Sequence, residues 1–138
     1  MPLSDQALQI FVDRPKLIGR DGRSRDLIFG RGSGPFSGWS RCKKRLDAQL
    51  AWSAGKDAGL EEKQALGWRL HDLRRTMVTG MAEELKVLPH VIESVVNHLS
   101  GHKSGVAGIY NRATYGKEKR AALQAWANHV DAVAAGKA

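Results

Sequence analysis

Apolar residues recur every three or four positions in four separate stretches of this chain, and that spacing is the strongest constraint on its fold. Trp39, Cys42, Leu46 and Leu50 form one series, and Leu73, Met77, Met81 and Leu85 a second. Ile92, Val95, Val96 and Leu99 form a third, and Ala122, Trp126, Val130 and Val133 a fourth. A turn of about 3.6 residues puts each set on one side of an α-helix. Helices are therefore predicted from Ser37 through Leu50, over about 71–85, from Pro89 through Leu99, and from about Thr114 to Ala135. Pro89 is tolerated in a first turn, Ser100-Gly101 ends that helix, and Gly55 and Gly59 mark a looser connection after the first one. A short fifth helix follows Ser4, a good N-cap residue. Ala7, Leu8, Ile10 and Phe11 are its apolar face and Pro15 its end. Leu27-Ile28-Phe29 reads as a short buried extended piece, stopped by Gly30-Arg31-Gly32-Ser33-Gly34-Pro35. The class is mainly α with a short β element. At 138 residues and 15.1 kDa the chain suits one compact domain, 1–138, long enough to bury a core without staples.

Charge is the next constraint, because it is concentrated. Lys and Arg number 22 against 14 acids, a formal net charge of +8. Residues 13–45 hold ten of those bases and three acids, so nearly the whole excess lies there. Such a block attracts a polyanion, with nucleic acid first and an anionic membrane surface second. Arg41, Lys43, Lys44 and Arg45 sit together on the predicted helix after Ser37, and Arg75 on the next one; these are the candidate contacts to a double-stranded DNA backbone. The same residues also fit a plain solvated helix face. No run of 18 apolar residues is present, which excludes a membrane-spanning helix. The Met1-Pro2-Leu3-Ser4-Asp5 start lacks a charged-then-apolar leader, and the single cysteine, Cys42, allows no internal disulfide. Cytoplasmic residence is the expectation.

Four side chains could act on a phosphodiester. His71 and Arg74 are three apart at a helix start and share a face. Arginine offers a planar fork of donors to two phosphate oxygens, and histidine can donate a hydrogen bond or move a proton. His98 stands near a predicted helix end, and Tyr110 follows twelve residues later. A tyrosine hydroxyl is only about 0.1% ionised at pH 7. It attacks phosphorus only where clustered cations stabilise the phenolate and the charge that develops. His71, Arg74 and His98 are the right types for that.

At these residues the chain resembles a known family. Leu70-His71-Asp72-Leu73-Arg74-Arg75-Thr76 is similar to the His-x-x-Arg box of the tyrosine recombinases, the phage-integrase family. Val96-Asn97-His98 resembles that family's second-histidine box, and Ile109-Tyr110-Asn111-Arg112 its nucleophile box. Pro2-Leu3-Ser4 and Gly34-Pro35-Phe36-Ser37-Gly38-Trp39 look like segments of prophage-type integrases. Each box alone is weak, and three in order are fairly specific. The resemblance runs from about Pro2 to Val130 and implies the C-terminal portion of the recombinase catalytic fold. It implies that Tyr110 attacks a DNA phosphate and forms a 3′-phosphotyrosine bond, releasing a 5′-hydroxyl. Arg74 would clamp non-bridging oxygens, His71 would bond the phosphate and assist proton transfer, and His98 would bond the same phosphate. A second strand then reverses the step, so neither metal, nucleotide nor other cofactor is called for.

Two departures stand out. The His98-to-Tyr110 gap is longer than the family's usual one, so a small insertion is implied and His102 is the runner-up for the His98 role. The family also uses an earlier arginine and a hairpin lysine, both upstream of its Pro-Leu-Ser segment. Arg14, Arg20, Arg23 and Arg25 stand in the wrong context to replace that arginine. Each missing phosphate-stabilising group costs about 10²–10³ in rate, so these 138 residues alone are expected to cleave DNA poorly.

Other readings of the same residues are blander. Tyr115, the other tyrosine, opens the last helix and packs there; Cys42 belongs to the core stripe of its helix. Trp39, Trp52, Trp68 and Trp126 are core anchors, His90 faces solvent, and His129 packs or caps on the final helix. His98 and His102 have the spacing of a helical zinc pair, but Ser100-Gly101 breaks the helix between them and no acid or cysteine is close in sequence. The glycines of 30–38 lack the Gly-Lys-Ser/Thr ending of a nucleotide loop. The last helix has an alternative use: its stripe could pack at home or dock on a second copy, as C-terminal segments do in assembled recombinases.

Overall fold

The computed structural model describes residues 2–19, 21–23, 27–29, 34, 36–58, 67–97 and 113–137, with the backbone alone for 51–58. The chain divides into two units, one made of 1–13 with 73–138, the other of 14–72. Five helices account for most of the described residues: α1 (Asp5–Val12), α2 (Trp39–Ala58), α3 (Leu70–Glu83), α4 (Pro89–Val96) and α5 (Gly116–Ala134).

In the first unit, local sequence signals explain most helix ends. Ser4 holds the extended backbone of an N-cap, and its Oγ accepts the Ala7 amide at 3.2 Å. Asp5 in the first turn adds a favourable charge. The helix stops at Val12, with Asp13 as its cap, because Arg14, directly before Pro15, is steered out of the helical region. α4 opens on Pro89 and closes at Asn97, which takes the left-handed conformation (φ 52°, ψ 42°). Asparagine tolerates that region, so it caps the helix before Leu99, where the apolar pattern alone would have carried it. At the end of α5 the Gly136 amide bonds Val133 O at 3.0 Å and the Lys137 amide bonds Ala132 O at 2.9 Å. With Gly136 at φ 66°, this is the paired return of a Schellman ending, which favours a residue without Cβ.

The core lies where the second half of α3, α4 and the start of α5 meet. Met81, Val91, Ile92, Val95 and Ala122 are buried, and Met77, Val78, Leu85, Val87, Leu123 and Trp126 pack around them. α3 passes α5 closely at Gly80. A Cβ there would lie 2.9 Å from Trp126 Cη2 and closer still to Cζ3. Gly80→Ala is therefore expected to lower the unfolding free energy by about 1–3 kcal/mol, the usual cost of overpacking. That range is net of alanine's better helix propensity, which is worth about 1 kcal/mol in the opposite direction. A urea titration showing equal or greater stability would contradict this close approach. α1 is held to α5 by amides. Gln6 Nε2 donates to Asn128 Oδ1 and Asp131 Oδ2, both at 2.9 Å, and Gln124 Nε2 donates to Gln6 Oε1 at 2.9 Å. The Asp5 amide donates to Gln124 Oε1, also at 2.9 Å.

The second unit departs from expectation in burial. Leu27, Ile28 and Phe29 are 36%, 51% and 43% exposed, with bends rather than a strand at Ile28 and Phe29. Three apolar residues between glycine-rich stretches have no neighbouring strand to pair with among the described residues. The extended β piece is thus not observed, and the described part of the molecule is helical apart from a single bridge residue at Ile18. α2 continues through Gly55 to Ala58. Its stripe is not core: Trp39 is 61% exposed, Leu46 and Leu50 are also exposed, and so is Cys42. Helical spacing put these side chains on one side, and in this unit they remain exposed. Trp39 instead meets Phe36 edge to face, with ring centroids 4.9 Å apart.

Candidate functional site

α3 carries the first group of expected site residues. Asp72 starts the helix by reaching back, its Oδ2 accepting the Arg69 amide at 2.7 Å. That is half of a capping box, in which an acid in the first turn satisfies a free donor. His71, Arg74 and Arg75 are all exposed on this helix. Three-residue spacing sets His71 and Arg74 on the same side of it, and Arg75 is one position further round.

Arg74 has a tertiary partner that the sequence did not announce. Its guanidinium NH2 donates to the carbonyl oxygen of Val96, the last residue of α4. The final carbonyls of a helix lack intrahelical donors and carry partial negative charge, so a cation is favoured there. A guanidinium has five N–H donors; one bond to Val96 leaves the rest of the fork for another acceptor. The contact also fixes Arg74 against the end of α4, one residue before Asn97 and two before His98 in sequence. His98, the runner-up His102, and Tyr110 lie outside the described residues.

The cations of α2 separate into two sets. Arg41, Lys44 and Arg45 are exposed and make no ion pair with a described residue. Lys43 is different. Its Nζ contacts both carboxylate oxygens of Asp47, at 2.6 and 2.7 Å, and lies 4.0 Å from the centroid of the Trp68 ring. Only 18% of the Lys43 side chain is exposed. The i,i+4 spacing of Lys43 and Asp47 was legible in the sequence, whereas the indole 25 residues further on was not.

The remaining expectations resolve unevenly. His90 is half-buried rather than solvent-facing, its ring 4.9 Å from that of Tyr115. Tyr115 packs, and it also begins α5 in a left-handed conformation (φ 48°). His129 packs against Trp126, ring centroids 5.4 Å apart. Trp68 is half-buried, and its Nε1 is buried without a described acceptor. The stripe of α5 is divided: Ala122 is buried and Trp126 half-buried, while Val130 and Val133 are 44% and 54% exposed. Among the described residues, no three His, Cys, Asp or Glu side chains gather as a metal site, and no helix is long and apolar enough to cross a membrane.

No family model matches the sequence, and no solved structure matches it significantly. One curated protein is similar along nearly the whole chain. The prophage integrase IntZ of Escherichia coli (strain K12) is 29% identical over 140 residues, covering 99% of this chain and 29% of that protein. The chain thus spans under a third of the length of the relative it matches. A likeness that runs nearly end to end supports a relationship to integrases.

Proposed function

We propose that the chain serves DNA integration or recombination as the C-terminal part of a tyrosine recombinase catalytic domain. In this reading the Tyr110 hydroxyl attacks a DNA phosphorus. A phosphorus–tyrosine bond forms, the bond to the 5′ oxygen breaks, and that oxygen leaves as a hydroxyl after taking up a proton. Arg74 holds the non-bridging oxygens. His71 bonds the phosphate and assists the proton transfer, and His98 bonds the same group. The phosphodiester's energy is kept in the new bond, so a second strand can reverse the step.

The observation that carries the reading is the Arg74–Val96 hydrogen bond. It joins two of the three boxes, 22 residues apart, and brings a guanidinium to the segment that leads into His98. The likeness to the E. coli prophage integrase agrees with it. The alternative is a non-catalytic DNA-binding remnant. The exposed cations of α2 favour that.

A nicked suicide duplex tests the choice, since loss of the 5′ fragment traps any covalent complex. The expected result is a faint adduct whose DNA-bearing peptide contains Tyr110, with two stabilising groups missing at about 10²–10³ in rate each. An adduct on another residue overturns the tyrosine assignment. Abundant adduct overturns the expected impairment. Salt-sensitive binding with no adduct after prolonged incubation selects the remnant.

A further inference from the structure

We propose that, among the described side chains of α2, Arg41, Lys44 and Arg45 meet DNA phosphates, and that Lys43 is a positioning residue that fixes the helix against Trp68. The inference rests on the DNA reading above and sharpens which side of α2 faces the duplex. At about 100° per residue, Arg41, Lys44 and Arg45 share a sector of about 100°, and Lys43 projects about 160° away from Arg41. Among the described side chains of α2 that sector contains no acid: Asp47 falls outside it by the same geometry. A three-cation face without internal counter-charge complements a row of phosphates.

Lys43 is occupied on the far side. Its ammonium is neutralised by Asp47 at 2.6 and 2.7 Å and lies over the Trp68 ring at 4.0 Å. A charge already paired and mostly covered has little counterion to release on binding DNA. Its contribution is structural: it holds α2 to the segment just ahead of α3, whose first turn carries His71. A lysine over an indole within about 6 Å is a favourable cation–π contact.

The test is fluorescence anisotropy of a labelled random-sequence duplex across a potassium chloride series, on the full chain. Each phosphate neutralised contributes about 0.9 to the slope of log affinity against log salt. Lys44→Gln is expected to lower that slope by about 0.9. Lys43→Gln is expected to keep the slope and lower affinity about 2–5-fold at every salt concentration, as loss of a cation–π contact predicts. Lys43→Arg keeps both contacts and is expected to restore the affinity, which a side chain needed only for its exact length would not allow. Should Lys43→Gln lose its helical circular dichroism, Asp47→Asn decides: freeing the ammonium on the far side is expected to leave the slope unchanged.

A slope reduced equally by Lys43→Gln and Lys44→Gln overturns the proposal, as does a slope that rises by about 0.9 in Asp47→Asn. A slope unmoved by Lys44→Gln overturns the cationic face. If the parent chain shows no salt-dependent binding, the DNA reading itself fails, which is a separate and recognisable result.

Discussion

Phenylalanine at position 110 is expected to remove every covalent protein–DNA adduct while leaving salt-sensitive duplex binding unchanged. Tyr110→Phe deletes one oxygen and keeps the ring. If that oxygen forms the bond to phosphorus, no chemistry remains once it is gone. Binding is a different matter: backbone affinity comes from released counterions, and phenylalanine alters no charge. Denaturing gel analysis of the trapped complex reads the first effect and anisotropy reads the second. Persistence of the adduct in Tyr110→Phe would place the nucleophile elsewhere. Tyr115 would be a poor replacement, because it is half-buried against His90 at the start of α5. Arg74→Ala gives a graded companion result: loss of one charge-stabilising donor set is expected to slow adduct formation by about 10²–10³, with the adduct still on Tyr110.

The second large effect concerns the fold. Met81→Ala is expected to lower the unfolding free energy by about 2–5 kcal/mol, the cost of lost transfer energy and the cavity left behind. Met81 is completely buried where α3, α4 and α5 converge. Domains of this kind have only about 5–15 kcal/mol in total, so the loss is a large share. Leu46→Ala is the contrast. Leu46 has the same helical periodicity but is 40% exposed on α2, so a change within about 0.5 kcal/mol is expected. Urea titrations of both variants, with equal slopes against denaturant, check the pair. A large loss at Leu46 with little at Met81 would invert the core described above.

The two leucine-rich stripes show how far pattern reaches. On α3 and the turn that follows it, the series Leu73, Met77, Met81 and Leu85 becomes partly core, because α4 and α5 lie against the second half of α3; Leu73, at the other end, is 59% exposed. On α2 an equally regular series stays exposed. Period 3.6 says which side chains share a side; it carries no information on whether another element arrives to cover them. The extended piece at 27–29 failed for a related reason, since a strand needs a partner that local composition does not supply.

The candidate site divides in the same way. His71 and Arg74 were legible as a pair because helical spacing alone sets them on one side. The Arg74–Val96 contact was not, since nothing local marks a carbonyl 22 residues on as the guanidinium's partner. Lys43 read as one of four equivalent cations in a row. Its i,i+4 acid Asp47 was legible, but the position of Trp68 was not, because sequence records spacing along a helix and not which distant ring lies beside it.

By itself, then, the order of residues determined helix content, the capping of α1 by Ser4, the basic character of 13–45 and the three boxes that invite comparison with integrases. Those properties depend on backbone dihedrals, neighbours within a turn, and summed charge, all of which act over a few residues. Tertiary structure alone decided which stripe becomes core, which cation is already paired, and that Gly80 must lack a side chain beneath Trp126. Each of these turns on atoms brought within a few ångströms by chain segments far apart in sequence, where packing and desolvation, rather than local preference, set the energy.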